Sequence, residues 1–590
     1  MIHLLHFFAR LCFSLPKICP KSPEKRTSSI YLTCKHNRGV LMNFKKNKAL
    51  AIAATVAMAL SVPSFAQLNN GDMEYGDGGW YLWNNPDGPA VAESQIAVQG
   101  LGVDGSQGAK VVVKELPNPW WGLQLQPPKF LADSGFYKLS FKAKGNMPIN
   151  SVVQGGPPDY RQKESASFDL TDKWQTYEMI FLADQKGYGL NNITFQIGLK
   201  KGWIQLDDVE VEKMDEMSDP SWYNNADARI DSLRKVDFTV KANPGEKVHV
   251  KLLRHSFPFG TALALYDTKD STENWYRNAA KKYFWHGVSE NQFKWPEYEP
   301  KKGKIKREEM KEYTDFTAQN HWKLRGHALM WSHQGYGFDK HYGNKGSCEE
   351  MAEKLKARIY RDLKEYKGKI TEYDVWNEPI HESWTFNKCG WGILDSAFIW
   401  AHKADPSAFL YINDYNVVAA GETDRYYGLI KGMLDRKVPV MGIGVQCHFG
   451  LRPVIPGLIK TRLDKLASLG LPIKVTEFDV GDWQAGMSDT EEVQAEKFET
   501  FLRTAFSHPA VNGIVFWGFW DNRHWVKNGG MIASDGREKP AAKRVYDLWH
   551  KVWTTDLYAT ADENGEAKFR GFKGYYQVNA GDKKFQITVK

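Results

Sequence analysis

The chain lacks most of the features that would assign it quickly to a class of protein. Its 590 residues include only six cysteines, and no Cys/His spacing is typical of a zinc site. There are no internal repeats and no low-complexity tract. After residue 66, no apolar stretch is as long as the roughly 18 residues of a membrane-spanning helix. These absences argue against a repeat protein, a zinc protein and an integral membrane protein. At this length they leave a chain of two to four globular domains.

An excess of charge is also missing once the N-terminus is set aside. The formal net charge is +8, but residues 1–66 hold ten Lys and Arg residues against the single Glu24, which is +9. The rest of the chain therefore carries −1. Because nucleic-acid binding requires a concentrated positive surface, we expect no nucleic-acid partner.

Residues 1–66 have the composition of a leader. A cluster of lysines follows Met42, the short apolar run Ala49–Val62 comes next, and Ser64-Phe65-Ala66 is typical of a signal-peptide cleavage site. We therefore predict a mature chain that starts at Gln67 and is secreted, to lie outside the cell, in the periplasm or at the cell surface. No membrane segment is expected after cleavage. Residues 1–41 fit no signal architecture, so we expect Met42 to be the initiator; a genuine long leader is the alternative.

Residues 67–213 predict an all-β domain. Short alternating runs such as Phe136–Ala143 and Ile204–Val211 are separated by Gly, Pro and Asn/Asp turns. Their spacing is typical of a β-sandwich, here jelly-roll-like. Residues 214–256 predict a linker and a short β segment, because the polar stretch Lys213–Ala228 precedes two strand-like runs within Lys235–Arg254.

From Phe257 the pattern changes to strands that alternate with amphipathic helical stretches, such as Cys348–Tyr366, Asp424–Lys437 and Glu491–Ser507. Eight such units predict a (β/α)8 TIM barrel over residues 257–553. The candidate strands are Phe259–Leu263, Trp285–Glu290, Lys323–Met330, Ile370–Asn377, Phe409–Asn413, Val440–Cys447, Ile473–Glu477 and Val511–Trp517. Residues 554–590 hold further short strands, which we expect to associate with the 235–254 segment as a small β appendage after the barrel.

Two glutamates stand out at the C-terminal ends of the predicted barrel strands. Glu378 and Glu477 each close a short apolar, β-branched run, so a barrel would present both carboxylates at its mouth. Paired carboxylates in that position suit acid/base-assisted cleavage of a glycosidic bond. The alternative is that both are ordinary solvated glutamates near strand ends.

Further polar and aromatic motifs end the other strands. They are Glu-Asn-x-x-Lys-Trp from Glu290, Arg-Gly-His from Arg325, Trp-Asn-Glu from Trp376, Asn-Asp-Tyr-Asn from Asn413, Gln-x-His from Gln446, Thr-Glu-Phe-Asp from Thr476 and Trp-Gly-Phe from Trp517. In this order, over Phe257–Trp549, they resemble glycoside hydrolase family 10, the retaining endo-β-1,4-xylanases. The resemblance implies hydrolysis of xylan with retention of configuration and no catalytic cofactor.

The resemblance also implies roles for individual residues. Glu378 would be the acid/base and Glu477 the nucleophile. The chemistry agrees, because burial and a neighbouring charge raise the pKa of an acid, and retention needs carboxyls about 5–5.5 Å apart. Asn377 would bind the 2-hydroxyl of the sugar, and Gln446 and His448 would orient the nucleophile and neighbouring groups. A charged His448 would instead compete for the carboxylate. The glycone would be bound by Glu290, Asn291, Lys294 and His327, and the cleft walled by Trp331, Trp517 and Trp525. As alternatives, Lys294 and His327 could be buried props of the barrel and Trp517 simple core.

One motif departs from the family's pattern. Where the family has Trp-His-Ser-Gln followed by Pro and Trp, this chain has Trp331-Ser332-His333-Gln334 followed by Gly335-Tyr336-Gly337. The change puts the contacts of the loop after the third strand, and so the fine preference among sugars, in doubt. It does not touch the two glutamates.

Residues 67–213 resemble the β-sandwich carbohydrate-binding modules often fused to xylanases. The shared motifs are Asn70-Gly71-Asp72-Met73-Glu74, Trp174-Gln175-Thr176-Tyr177 and Asp207-Asp208-Val209. The resemblance implies a sugar-stacking platform, for which Trp120 and Trp121 are the candidates. It also implies a structural calcium ion, to which Glu74 and Asp207 could supply oxygens.

The cysteines after the leader are Cys348, Cys389 and Cys447. If the barrel is right, Cys348 and Cys389 lie on adjacent loops of one face, and export permits a disulfide between them. Cys447 would then be a buried free thiol.

Together these observations predict a secreted, monomeric, retaining endo-β-1,4-xylanase that cleaves internal bonds of xylan and related plant cell-wall polysaccharides by double displacement. The first alternative is an endo-β-1,4-glucanase or mixed-specificity hydrolase on the same barrel. Xylose lacks the hydroxymethyl group of glucose, so discrimination depends on how closely Trp517 and Trp525 cover that position. The second alternative is a non-catalytic polysaccharide-binding protein.

Overall fold

A computed structural model describes the chain in residues 68–131, 134–156, 160–183, 190–214, 220–268, 270–333, 346–482 and 487–590. The predicted signal peptide, with Met42 and Gln67, lies outside these ranges, as does Gln334–Gly337 of the divergent loop. Within them, no helix is both long enough and apolar enough to cross a membrane.

The N-terminal domain is a sandwich of two antiparallel sheets, as predicted. Its strands are β1 (Tyr81–Asn84), β2 (Val91–Gln99), β3 (Gln107–Glu115), β4 (Leu123–Gln126), β5 (Phe130–Leu131), β6 (Gly135–Gly145), β7 (Ile149–Gly155), β8 (Gln162–Phe168), β9 (Gln175–Ala183), β10 (Leu190–Gln196) and β11 (Gly202–Met214). One sheet has the order β1-β4-β10-β7-β8, with β5 also paired to β10, and the other has the order β2-β3-β11-β6-β9.

Alternation of apolar and polar side chains builds the core between these two sheets. In β6, Leu139, Phe141 and Ala143 are fully buried, and the residues between them are partly exposed. Phe141 meets Phe195 of the opposite sheet edge to face, with ring centroids 5.0 Å apart. Burial of both inner faces is what holds the two sheets together.

The segment between the sandwich and the barrel contains two helices in addition to the predicted strand pair. It contains α1 (Ser221–Asn224), α2 (Ala226–Arg234), β12 (Lys235–Lys241) and β13 (Lys247–His255). Ile230 is only 1% exposed, and the guanidinium of Arg234 donates to three backbone carbonyls of the barrel, between residues 506 and 511, at 2.8–2.9 Å. The polar composition concealed this helix, because only one narrow face of it is apolar.

Eight strand positions form a closed parallel barrel, which confirms the predicted fold. They are β14 (Phe259–Leu263), β15 (His286–Ser289), β16 (Lys323–Gly326) continued by β17 (Met330–Trp331), β18 (Ile370–Asn377), β19 (Phe409–Asp414), β20 (Gly442–Val445), β21 (Ile473–Phe478) and β22 (Val511–Phe516). Each pairs with its neighbour in sequence, and β22 pairs back onto β14. The predicted strands overlap all eight positions.

Helices surround this barrel where amphipathic stretches were predicted. They are α3 (Ser271–Tyr283), α4 (Trp295–Tyr298), α5 (Arg307–Gln319), α6 (Cys348–Glu365), α7 (Trp384–Cys389), α8 (Gly392–Ala404), α9 (Thr423–Asp435), α10 (Pro456–Ala467), α11 (Glu491–Phe506) and α12 (Pro540–Asp547). In α6, Leu355, Ile359 and Leu363 recur every fourth residue on the buried face. Ser347 and Glu350 form a capping box at its N-terminus.

The C-terminal residues form the predicted appendage. Its strands are β23 (Asp556–Thr560), β24 (Glu566–Phe572), β25 (Gly574–Ala580) and β26 (Lys583–Val589). β24 pairs with β12, and β13 pairs with both β23 and β25. The appendage therefore joins the segments that precede and follow the barrel.

The cysteines are arranged as expected. Cys348 and Cys389 form a disulfide with their Cα atoms 5.2 Å apart, which links the start of α6 to the end of α7. Cys447 is a buried free thiol.

Candidate active site

Glu378 and Glu477 both lie at the C-terminal end of the barrel. Glu378 directly follows β18, and its N–H donates to the Asn413 carbonyl at 2.7 Å; the N–H of Glu477, in β21, donates to the Gln446 carbonyl at 3.1 Å. Glu378 has a left-handed backbone with a φ of 58°, a costly conformation that is common at functional sites. The two residues are 8% and 4% exposed, which rules out the alternative of two solvated glutamates.

Two asparagine side chains connect these carboxylates. Asn413 Nδ2 donates to Glu477 Oε1 and to Asn377 Oδ1, both at 2.8 Å. Asn377 Nδ2 in turn donates to Glu378 Oε1 at 3.1 Å. The two predicted catalytic groups therefore belong to one continuous hydrogen-bond network.

Glu378 is placed to hold a proton near neutral pH. Burial raises the pKa of its carboxyl to about 7, and the charges of Asp414 and Glu477 act in the same direction. Neutral donors offset part of this effect: Gln446 Nε2 donates to Oε1 at 3.0 Å, and Trp331 Nε1 donates to Oε2 at 2.7 Å. The carboxyl is thus held in a fixed orientation by neutral donors.

Glu477 has the opposite environment. Burial by itself would raise the pKa of its carboxyl, but the charge interaction with His327 and the hydrogen bond from His448 bring the pKa below its usual value. His448 Nε2 lies 3.3 Å from Glu477 Oε2, and His448 Nδ1 lies 2.9 Å from Asp479 Oδ2. Burial opposes protonation of His448, but these two carboxylates outweigh it and raise the pKa of the imidazole to about 10. At neutral pH an ionised Glu477 therefore faces an imidazolium.

The residues predicted to bind the glycone lie beside this pair. Lys294 Nζ donates to Asn291 Oδ1 at 2.9 Å and lies 5.0 Å and 5.5 Å from the ring centroids of Trp331 and Trp517. Burial lowers the pKa of Lys294, and the charge of Glu290 partly offsets this effect. Burial likewise raises the pKa of Glu290, and the charge of Lys294 partly offsets that. These partly desolvated groups are suited to bind the hydroxyls of a neutral ligand.

His327 and Trp517 belong both to the packing of the barrel and to the wall of the site. His327 Nδ1 lies 2.9 Å from Asp374 Oδ2 and 3.9 Å from Glu477 Oε1. Its ring meets that of Trp517 edge to face, with centroids 4.9 Å apart. Trp517 is only 6% exposed and packs in a small apolar cluster inside the barrel. His327 and Trp517 thus make the packing contacts expected of a buried prop and of a core residue, and they also border the site.

Three site residues received no role from the sequence. Asn413 bridges the two carboxylates. Asp414 Oδ1 lies 2.6 Å from His381 Nδ1, and the charge of Asp414 helps to raise the pKa of Glu378. Asp479 accepts from Trp525 Nε1 at 2.7 Å in addition to its contact with His448. Each lies in a motif that the sequence analysis singled out, but their partners follow from the fold.

The divergent loop brings its transposed histidine to the segment after Glu378. His333 Nε2 lies 3.9 Å from Glu382 Oε1, and the His333 and Trp331 rings have centroids 4.7 Å apart. Ser332 Oγ donates to Thr385 Oγ1 at 2.7 Å. His333 therefore lies beside Trp331, whose indole donates to Glu378.

The two tryptophans predicted as a sugar platform line a groove of about 710 Å³ on the β1-β4-β10-β7-β8 sheet. Trp120 and Trp121 are 44% and 43% exposed, and Trp121 stacks on Trp83 with ring centroids 6.3 Å apart. Among the described residues that line the groove, Lys129 is the one that carries a charge. Four buried amide side chains also line it: Gln124, Gln126, Asn192 and Gln196.

Glu74 and Asp207 do not fit the predicted calcium ion. Asp207 is fully buried, and its Oδ2 accepts from the Val103 N–H at 2.8 Å and from Ser106 Oγ at 2.9 Å. Glu74 Oε1 accepts from the Gln107 N–H at 2.7 Å. Both carboxylates are therefore already bound to protein donors. The part of the chain that the structure describes contains no group of three or more His, Cys, Asp or Glu residues that could hold a metal.

Comparison with known proteins adds an independent finding. The profile described as Glycosyl hydrolase family 10 matches residues 250–548. The anti-sigma-I factor RsgI6 of Acetivibrio thermocellus is 32% identical over 381 residues, which are 62% of this chain and 48% of that protein. Endo-1,4-beta-xylanase 1 of Arabidopsis thaliana is 32% identical over 363 residues, 59% of this chain and 37% of that protein. The crystal structure of xylanase 10B from Thermotoga maritima covers 50% of this chain and 95% of its own, at 27% identity and a TM-score of 0.46. This chain thus spans less than half the length of these two curated relatives.

Proposed function

The chain belongs to glycosyl hydrolase family 10, and we propose that it hydrolyses internal β-1,4 bonds of xylan with retention of configuration. The observation that carries the proposal is the opposite environment of two buried carboxylates in one network. The pKa of Glu378 is raised to about 7, and that of Glu477 is lowered. A double displacement needs a proton donor and an ionised nucleophile at the same bond, and pKa values pushed apart assign those roles.

In the first step Glu378 donates its proton to the leaving oxygen while Glu477 attacks the anomeric carbon. The glycosidic C–O bond breaks, an ester bond forms between Glu477 and the sugar, and the leaving chain departs as an alcohol. The imidazolium of His448 keeps Glu477 ionised until the attack. Asn413 Nδ2, at 2.8 Å from Oε1, restricts the orientation of the nucleophile.

In the second step Glu378 acts as the base. Ester formation removes the negative charge of Glu477, which is one of the charges that raise the pKa of Glu378. The pKa of Glu378 therefore falls after the first step, and its carboxylate accepts a proton from water. The water oxygen attacks the anomeric carbon, the ester breaks, and both glutamates return to their first protonation states.

The remaining polar groups hold the reacting sugar. Asn377 is fixed by Asn413 on one side and by Glu378 on the other, beside the position that the 2-hydroxyl of the sugar occupies. Contacts to that hydroxyl strengthen as positive charge develops on the sugar ring. Lys294 and Glu290 bind hydroxyls of the glycone.

The choice of xylan over a β-1,4-glucan depends on two tryptophans. Trp517 is nearly buried, and Trp525, although 49% exposed, is anchored by its hydrogen bond to Asp479. Fixed walls leave less room for the hydroxymethyl group that glucose carries and xylose lacks. The Arabidopsis relative is named as a xylanase. Release of reducing ends should be faster from xylan than from carboxymethyl-cellulose; the reverse order would favour the glucanase alternative.

The proposal includes export and a sugar-binding N-terminal domain. The sandwich acts as a carbohydrate-binding module through the groove that Trp120 and Trp121 line, and the chain acts outside the cell as a monomer. N-terminal sequencing of protein from the culture medium should find Gln67 first. Light scattering of that protein should give the mass of one chain.

The activity is tested most directly by proton NMR of the anomeric products released from xylan. The wild type should release β-configured reducing ends first, and Glu477→Ala should release none. Glu353→Ala, at an exposed glutamate of α6, is the matched control and should behave like the wild type. A wild type that binds xylan without cleaving it would show that the non-catalytic alternative is correct.

A further inference from the structure

The N-terminal module contacts the barrel through its edge strand β8. Gly421, after β19, donates its N–H to the Ser165 carbonyl at 2.8 Å. The N–H of Ser167 donates to Glu422 Oε1 at 2.7 Å. The barrel therefore satisfies backbone groups that the edge of a sheet otherwise leaves unpaired.

A buried ion pair reinforces this contact. Arg462 of α10 donates through Nη2 to Glu164 Oε2 at 2.7 Å and through Nη1 to the Val418 carbonyl at 2.9 Å. Glu164 and Arg462 are 2% and 8% exposed. The backbones also fit closely, because a Cβ added to Gly421 would lie 2.6 Å from the Cβ of Ala166. Burial and steric fit of this kind hold two domains in one orientation, whereas a flexible linker would leave them free to move.

The same strand borders the groove of the module. Gln162 lines the groove, and its Oε1 accepts from Arg452 Nη2, in the loop after β20, at 3.1 Å. The neighbouring Arg161 pairs with Asp489, in the segment after β21, at 3.2 Å. These two barrel segments follow the strand ends that carry His448 and Glu477. The rim of the groove is therefore joined to the catalytic end of the barrel.

The groove has the chemistry of a site for a neutral sugar chain. The exposed faces of Trp120 and Trp121 can stack on pyranose rings, and the buried amides can bond to hydroxyls. Asn192 is 6% exposed in this groove, and its Oδ1 has no hydrogen-bond partner among the described residues. Lys129 is the single charged side chain among the described residues that line the groove, and these residues offer no cluster of cations to an acidic ligand.

We infer that the groove and the mouth of the barrel bind one polysaccharide chain at the same time, so that the groove serves as a remote set of subsites for catalysis. The inference rests on the proposed xylanase function. Because the module is docked in one orientation, a chain held in the groove is presented to Glu378 and Glu477 at a high effective concentration. Short oligosaccharides, which fill the mouth alone, gain nothing from the groove.

Two variants of the full-length protein separate sugar binding from docking. Trp121→Ala removes a stacking face from the groove. Gly421→Val, at a residue that does not line the groove, should force the module off the barrel, because the added side chain would overlap Ala166. Trp174→Ala is the control for the first, because this half-buried tryptophan of the module lies outside the groove. Gly428→Val is the control for the second, because an added Cβ there meets no atom within 4 Å.

The measurements are kcat/KM on xylotetraose and on long xylan chains, with small-angle X-ray scattering to report docking. Trp121→Ala and Gly421→Val should each lower kcat/KM on long chains by about tenfold or more, and neither should change it on xylotetraose. On long chains, the kcat/KM of the double variant should be no lower than that of the less active single variant. Both controls should match the wild type, and Gly421→Val should increase the radius of gyration.

Three outcomes would overturn parts of the account separately. If Gly421→Val expands the protein but keeps full activity on long chains, the module binds sugar independently of the barrel and the inference is wrong. If Trp121→Ala keeps full activity on long chains, the groove does not hold the substrate. If the wild type does not cleave xylotetraose, the proposed function itself fails. Should Gly421→Val remain compact or fail to fold, Glu164→Arg, which faces Arg462 with a second cation, serves in its place.

Discussion

Two glutamates near the same barrel strand are equally buried but have opposite environments. Glu372, inside the barrel on β18, and Glu378, at its mouth, are both 8% exposed. Glu372 is paired with three basic side chains: Arg325 and His286, each at 3.2 Å, and Lys474. Although burial opposes its ionisation, these partners hold the pKa of Glu372 well below its usual value. Glu378 has neutral donors and nearby acids, and its pKa rises to about 7.

The partners of a buried carboxylate, and not its burial alone, decide what it can do. A carboxylate surrounded by cations keeps its charge and supports the fold, because removal of either side leaves an uncompensated buried charge. A buried carboxylate that is held mainly by neutral donors retains a proton that it can donate. The barrel uses the first arrangement for Glu372 in its interior and the second for Glu378 at its mouth.

The largest expected effect comes from Glu378→Gln. The amide keeps the shape of the side chain but can neither donate nor accept the proton, so kcat on xylan should fall by about 10³-fold. The alkaline decline of activity should vanish with it, because Glu378 is the group that titrates there. Steady-state kinetics across pH measure both effects, and a loss smaller than tenfold would show that another group transfers the proton.

Glu372→Gln should mainly reduce stability. The substitution leaves Lys474 buried without its counter-charge, while Arg325 keeps its pairing with Asp374, so the free energy of unfolding should fall by about 3–5 kcal/mol. Urea denaturation of wild type and variant measures the change, with exposed Glu353→Gln as the control. Stability within about 1 kcal/mol of the wild type would mean that the interior cluster is not a structural ion pair.

The pH dependence of kcat/KM should follow the two catalytic glutamates. Activity requires Glu477 ionised and Glu378 protonated, so the acid limb should lie below the ordinary glutamate value of 4.5 and the alkaline limb at about 7. Rates of xylotetraose cleavage over the pH range give both limbs. An alkaline limb governed by another group would persist in Glu378→Gln.

The same raised pKa should have a smaller effect on stability. The folded Glu378 binds its proton more tightly than the unfolded one, so its contribution is complete below about 4.5 and is lost as the pH rises through about 7. Glu378→Gln lacks this titration, and its melting temperature should therefore decline less than that of the wild type between these pH values. If the melting temperatures of the two proteins declined equally over this pH range, the raised pKa would be contradicted.

The smallest expected effect is that of metal removal. Because Glu74 and Asp207 are bound to protein donors, a chelator such as EDTA should leave the melting temperature of the wild type unchanged. A decrease on chelation, reversed by added calcium, would show that the carboxylates rearrange around an ion.

The sequence predicted the barrel well because each strand is an apolar run that ends in a polar motif. Those ends meet in any closed parallel barrel, so Glu378 and Glu477 could be placed before the structure was known. The bridging role of Asn413 could not, because it depends on side-chain directions across three strands. The pair between Glu164 and Arg462 joins residues almost 300 positions apart, at 2.7 Å, and no local pattern indicates it. The calcium prediction named Glu74 and Asp207, whose carboxylates accept hydrogen bonds from backbone N–H groups and, for Asp207, from the Ser106 hydroxyl.

The proposed mechanism requires that the negative charge of Glu477 helps to raise the pKa of Glu378, so that this pKa falls when the charge is lost. Titration of the Glu378 carboxyl by carbon-13 NMR, in the wild type and in Glu477→Gln, tests this claim most directly. We expect a pKa of about 7 in the wild type and a lower value in Glu477→Gln. An ordinary glutamate pKa in the wild type, or the same value in both proteins, would contradict it.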